Sequence, residues 1–356
     1  MTIRSKHLLV IRFSAMGDVA MLVPVLSAVV RQNPSLRITV VTRDFFAPIF
    51  EDLQGVEVFP VKLKEEHKGF LGIARLAREL MALRPDGVAD LHNVIRSKIL
   101  CVFLAFRGIN SRTIDKGRGE KAALTSLNLR KKIFKPLSST FDRYRAVFSA
   151  LGFRSDLRQV TPLPRKRLGA NIVAATGYKK GQWLGIAPFA QHQSKTYPKD
   201  LMEEVLARLD RMPDIKIFLF GGGATEVKDL ARWEGEFPVV TSVAERLSFS
   251  EQLDLISNLD AMLSMDSGNG HLAANYGIPV IVVWGNTHPY AGFAPFNQSP
   301  DQFLLPDRKV YPLLPTSIYG KPVPKGYEEV MRTISPDRVI KKVEEILGTP
   351  RDQTSS

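Results

Sequence analysis

His7-Leu8-Leu9-Val10-Ile11-Arg12-Phe13-Ser14-Ala15-Met16-Gly17-Asp18-Val19 sets the fold class of this chain. The branched and aromatic run His7–Phe13 predicts a short strand, Ser14–Asp18 a turn, and the apolar stretch from Val19 to about Gln32 a helix. The unit then repeats. Arg37–Thr42, Val56–Val61 and Gly87–Leu91 carry the strand signal, and Phe70–Leu83 has helical spacing through Phe70, Ile73, Leu76, Ala77, Leu80 and Leu83 before Pro85 closes it. Strands separated by helices of this length imply a parallel sheet covered on both faces. Tyr144–Leu151 reads as the last helix of this half, and Lys116–Ser139, rich in Lys, Arg and Ser, as a loop or lid.

A second series follows at Trp183–Ala187, Ile215–Phe220, Val239–Thr241, Ala261–Met265 and Pro279–Val283. Between the series, Phe153–Lys180 has the composition of a linker and hinge, with Pro162, Pro164 and the basic Arg165-Lys166-Arg167. At 356 residues the chain exceeds what one core usually supports. The expected fold class is therefore α/β, with one Rossmann-like domain over 1–170 and another over 171–335. Ser335, Pro336 and Gly348 mark a helix over Pro336–Leu347 within a final segment 336–356.

Composition narrows the function classes. No apolar run approaches the roughly 20 residues that span a bilayer, and the start leads directly into the first strand without a cleavable leader pattern. A cytoplasmic protein is expected. The single cysteine, Cys101, lies in the apolar run Ile99–Leu104, which excludes an intrachain disulfide and fits a buried structural thiol. Net charge is +13, but residues 1–178 hold 30 Lys and Arg against 14 Asp and Glu, while the remainder is slightly acidic. Within Arg96–Arg167 the basic residues number 18 and the acidic 4. Such a stretch suits an inner-leaflet membrane surface or a phosphorylated glycan, and a generic solvated face fits it too. No nucleic-acid-binding motif accompanies the charge.

Four loops could carry chemistry, each following a predicted strand. Asp18, after Ser14 and Gly17, sits where a helix N-terminus favours a carboxylate, and it serves either as a proton acceptor or as a helix cap. Ser264-Met265-Asp266-Ser267-Gly268-Asn269-Gly270-His271 opens another helix whose amides can hold a diphosphate, with His271 as a further donor. Gly268-x-Gly270-x-x-Ala273 also fits a dinucleotide fingerprint, yet no Asp or Glu lies between His271 and Asp301 to bind a ribose. Lys195 ends a loop where an ammonium can neutralise a departing diphosphate, or simply stand solvated before a helix. Glu226, after Gly221-Gly222-Gly223, can accept from ribose hydroxyls or favour the first helical turn.

The order of these clusters resembles the heptosyltransferases of glycosyltransferase family 9 over nearly the whole chain. Ser14–Val19 is similar to the family's Ser-x-Met-Gly-Asp-Val element, Lys195–Pro198 to its Lys-x-(Trp/Tyr)-Pro element, and Asp266–Ala273 to its Asp-Thr-Gly-x-x-His-Leu-Ala element. Ser267 stands in place of the usual threonine, Arg12 in place of a frequent lysine, and Ala190-Gln191-His192 in place of a stretch that often contains threonine. The resemblance implies a GT-B fold, with two parallel sheets facing across a cleft and the final helix crossing back to the first domain. It implies an ADP-heptose donor on the second domain and an anionic, lipid-linked glycan of the lipopolysaccharide core type on the first. Carried over, Asp18 is the general base, Lys195 a diphosphate contact, Glu226 a ribose contact, and Asp266, Ser267, Gly268, Asn269, Gly270 and His271 the wall of the donor site. Arg12, Ser14 and Gly17 fall on the acceptor side.

The reaction so implied is an inverting, metal-independent transfer without a cofactor, and no Asp-x-Asp or His-Glu-x-x-His occurs in the sequence. Two enzyme rivals share the sequence trace: a nucleotide-sugar epimerase or hydrolase of the same fold, and an NAD-dependent oxidoreductase. A nucleotide- or lipid-binding adaptor is the non-enzymatic one.

Overall fold

The computed structural model describes residues 6–348. Two compact units form: one takes the chain up to Gly117 together with Ser138–Leu163, and the other takes Arg118–Leu137 and everything described from Pro164 onward.

The first unit runs β1 (Lys6–Ile11), α1 (Met16–Ala20), α2 (Leu22–Gln32), β2 (Leu36–Arg43), β3 (Val56–Val61), α3 (Gly69–Ala82), β4 (Gly87–Asp90), α4 (Ile95–Ala105) and β5 (Asn110–Thr113). After α5 (Arg118–Leu124), which groups with the other unit, α6 (Thr140–Ala150) completes it. Its strands are parallel in the order β3-β2-β1-β4-β5. Leu8 through Ile11 are buried because β1 is the middle strand and has helices on both faces. One face is filled by Leu9, Ile11, Ile73, Leu76, Leu80, Leu100 and Leu104. The predicted single helix from Val19 is two: Pro24 has no N–H to offer the carbonyl of Ala20, so α1 stops there and α2 restarts at Leu22.

The second unit continues with α7 (Ala170–Thr176), β6 (Gln182–Ala187), α8 (Lys199–Leu209), β7 (Ile215–Leu219), α9 (Ala224–Glu236), β8 (Val240–Ser242), α10 (Phe249–Ile256), β9 (Ala261–Met265), α11 (Gly268–Asn275), β10 (Val280–Val283), β11 (Phe303–Leu304) and α12 (Pro336–Gly348). Its parallel sheet is ordered β11-β10-β9-β6-β7-β8. Both orders are Rossmann-like, reversing direction beside the unit's first strand. No helix among the described residues is long and apolar enough to cross a membrane.

Helix α12 forms, and Ser335 Oγ accepts from the Arg338 N–H. Val339, Val343 and Leu347 are buried in one cluster with Met202, Leu206 and Leu209 of α8, so its apolar face is consumed by the second unit's own core. The segment read as a loop or lid of the first half belongs to the second unit. Leu137 N–H donates to Tyr290 O, Lys132 Nζ donates to the carbonyls of Leu124 and Pro315, and Phe134 lies under the Arg308 guanidinium at 3.5 Å. The basic stretch 96–167 is thus divided between the two units.

Candidate active site

In open α/β sheets, ligands bind beyond the carboxyl ends of the strands where the strand order reverses. In the first unit that point lies between β1 and β4. Arg12 follows β1 and is buried; its Nη2 lies 2.5 Å from Asp18 Oδ2 and its Nη1 donates to Leu91 O at 2.7 Å. Asp18 sits in the first turn of the short α1, is 23% exposed, and finds no partner for Oδ1 among the described residues. The Tyr144 hydroxyl donates to the Asp18 carbonyl, fixing the backbone from the α6 side. Arg12 was expected as an anion contact on the acceptor side. Its guanidinium lies against the Asp18 carboxylate and the Leu91 carbonyl.

His92 is the residue that the sequence reading missed. It follows β4, packs edge-on to Phe13 with ring centroids 5.4 Å apart, and its Nδ1 accepts from the Phe13 N–H at 3.4 Å. Burial, with Arg12 and Lys116 nearby, pushes its pKa down to about 3, so the ring is neutral and carries its proton on Nε2. The loop holding it is braced by Asp90, fully buried, which accepts from the amides of His92 and Asn93 and from the Ser97 hydroxyl. An Asp-x-His at the end of a predicted strand was the signal available. Cys101, on α4, is buried with its pKa pushed up to about 12 by burial and by Asp90, which removes it as a nucleophile.

In the second unit the order reverses between β6 and β9. Lys195 closes the loop after β6, Asp266 follows β9, and Lys195 Nζ meets Asp266 Oδ2 at 2.9 Å with both side chains largely buried. Thr287, beyond β10, donates its hydroxyl to the same carboxylate oxygen at 2.8 Å. The loop approach is close: the Asn286 N–H donates to Ser194 O, and a Cβ on Gly285 would stand 2.1 Å from that carbonyl. Tyr197 anchors the far side, its hydroxyl donating to Ile334 O at 2.6 Å.

Helix α11 begins at Gly268, capped by Ser267 in extended backbone. The Ser267 hydroxyl turns to Ser264 Oγ at 3.1 Å and makes no side-chain cap, which leaves the first amides of α11 for another acceptor. Ser267, Gly268 and Asn269 are half-buried, whereas Gly270 and His271 are buried. Gly270 has a packing reason: a Cβ there would press Ser264 and Val280 at 3.3 Å. Glu226 Oε2 accepts from the Gly222 N–H at 2.9 Å at the start of α9. The structure therefore brings Arg12 with Asp18, and Lys195 with Asp266; Glu226 stands apart in the first turn of α9, Ser14 precedes α1 and Gly17 lies within it.

Comparison with known proteins adds the chemistry. The family model for glycosyltransferase family 9 (heptosyltransferase) matches residues 73–315. Lipopolysaccharide heptosyltransferase 1 of Campylobacter coli is 24% identical over 298 residues, covering 79% of this chain and 84% of the relative. The glycosyl transferase family 9 structure from Veillonella parvula superimposes with a TM-score of 0.75 at 17% identity over 98% of both chains. The E. coli heptosyltransferase WaaC solved with ADP gives 0.66 at 19% identity over 96% of this chain and 99% of that one. These likenesses show the GT-B fold, two Rossmann-like domains of parallel sheet. With its family model matched over more than half its length, the chain belongs to glycosyltransferase family 9, the heptosyltransferases.

Proposed function

We propose that the protein moves a heptose-type sugar from ADP-heptose to a lipopolysaccharide core or a related lipid-linked glycan, with inversion and without a metal. The carrying observation is the placing of Asp18 and of Lys195 at the order-reversal points of their two sheets, each held by a buried partner of opposite charge. Asp18 removes the proton of an acceptor hydroxyl as that oxygen forms its bond to the anomeric carbon from the face opposite the diphosphate. The carbon–oxygen bond to the diphosphate breaks, and its electron pair leaves with ADP. Lys195 and the first amides of α11 receive that charge, a helix terminus and an ammonium supplying what a divalent cation supplies elsewhere. Glu226 takes the ribose hydroxyls, and Asp266 positions Lys195. That the E. coli relative was solved with ADP supports the nucleotide.

The test is a mass-spectrometric screen of nucleotide sugars with the purified protein, native lipid extract as acceptor, and a chelator present. A sugar added to lipid from ADP-heptose, with the anomeric configuration inverted, is the expected product. Loss of all turnover on chelation overturns metal independence, and release of free sugar without an adduct overturns transfer.

A further inference from the structure

Helix α4 breaks the rule for a helix at the surface of a water-soluble unit, which should bury one stripe and present polar residues on the other. Its inner stripe is ordinary: Ser97, Leu100, Cys101 and Leu104 are buried. Its outer stripe is apolar as well. Ile95, Val102 and Phe106 are 77%, 55% and 81% exposed, and at 100° per residue they fall within about 40° of one another. The packed start of α3 extends the patch, since Phe70 touches Phe103 with ring centroids 5.3 Å apart, and Phe70 and Leu71 are themselves 63% and 82% exposed. Large apolar residues gathered on one face mark an interaction surface.

Charge decides the occupant. Arg96, Lys98 and Arg107 are exposed around the stripe, and no Asp or Glu lies between Leu91 and Ile114. On the α3 side, Lys64 and Lys68 accompany Glu65 and Glu66, and Glu66 is paired with Lys62 at 3.1 Å. A second copy of this face would set cations against cations. An anionic bilayer surface accepts both features, apolar side chains at the acyl boundary and lysine or arginine among phosphates.

We infer that the outward stripe Ile95–Val102–Phe106 of α4, with Phe70 and Leu71 of α3, docks the first unit onto an anionic lipid leaflet. The inference deepens the reading of a lipid-linked acceptor and rests on it for its purpose: α4 starts three residues after His92, and the Leu91 carbonyl of the same loop accepts from the Arg12 guanidinium that meets Asp18. It differs from a contact spread over the whole basic stretch, because Arg118–Leu137 belongs to the other unit.

The test is cosedimentation of the full chain with vesicles of phosphatidylcholine alone or mixed with phosphatidylglycerol, in the absence of donor and glycan. Binding to mixed vesicles only is expected. Val102→Ser with Phe106→Ser, and separately Lys98→Glu with Arg107→Glu, should each weaken it by roughly tenfold or more, while Val310→Ser, exposed on the other unit, leaves it unchanged. Urea unfolding followed by circular dichroism checks that each variant is folded. Wild-type binding by both double variants overturns the inference, as does a dimer in solution that Phe106→Ser dissociates. Because no sugar is present, a failed transfer screen and a failed docking assay report on different claims.

Discussion

Lys195 Nζ and Asp266 Oδ2 stand 2.9 Å apart across the point where the second sheet reverses, and the Thr287 hydroxyl donates to the same oxygen at 2.8 Å. The carboxylate is thereby spent on aiming an ammonium. Lys195→Ala should lower ADP affinity by tenfold or more and, by stranding a buried charge, cost roughly 3–5 kcal/mol of stability. Asp266→Asn keeps the ammonium and should lose less affinity. Calorimetric titration with ADP and urea unfolding of the two single variants and the double variant measure this; additive effects would show that the pair does not act as a unit.

Asp18 differs from Asp266 in exposure, 23% of its side chain against 9%, while Arg12 holds one of its oxygens. A carboxylate so aimed can take a proton without first turning. Asp18→Asn should reduce kcat by roughly 10²–10⁴ with ADP affinity within error of wild type. Near-normal turnover in that variant would leave Asp18 as no more than the partner of a buried arginine.

Gly285 allows two loops to touch. An alanine Cβ there would collide with the carbonyl of Ser194, and backbone cannot swing aside as a side chain can. Gly285→Ala should displace the residue next to Lys195 and raise the donor KM several-fold. Gly235→Ala, in α9 where a Cβ meets nothing within 4 Å, should be neutral or stabilise by up to about 1 kcal/mol. Equal donor KM values in the two variants would mean that the close approach does not set the position of Lys195.

The loops after β1, β6 and β9 were legible because local signals mark them: a branched apolar run, then small or charged turn residues, then helical spacing. His92 was not, since β4 becomes the neighbour of β1 only through the strand order, which no stretch of sequence displays. The commitment of Arg12 was hidden for a related reason: charge in a sequence carries no direction, and its partner Leu91 O lies 79 residues away. Strand β5 was missed because Asn110–Thr113 is a largely exposed edge with no apolar alternation. The placement of Arg118–Leu137 turned on Lys132 and Phe134, whose long-range partners outweigh a composition that reads as loop.

Two buried neutral histidines make stability depend on pH with a definite sign. Burial is the largest cause for both: His92, with Arg12 and Lys116 close by, is pushed down from 6.5 to about 3, and His288, with Arg308 and Lys132 close by, to about 4. Between these values and 6.5 the unfolded chain binds protons that the folded chain refuses. The stabilisation is therefore complete above about pH 6.5 and is lost as pH falls towards 4 and then 3, by roughly 1.4 kcal/mol per pH unit for each histidine. His92→Asn keeps an acceptor for the Phe13 N–H but cannot titrate, so its unfolding free energy should fall less steeply over pH 6–4.5 by one proton's worth, whatever its value at neutral pH. Urea melts across that range measure the slope directly. A slope equal to wild type would mean that His92 is already protonated in the folded protein, and the neutral ring beside Arg12 would have to be abandoned.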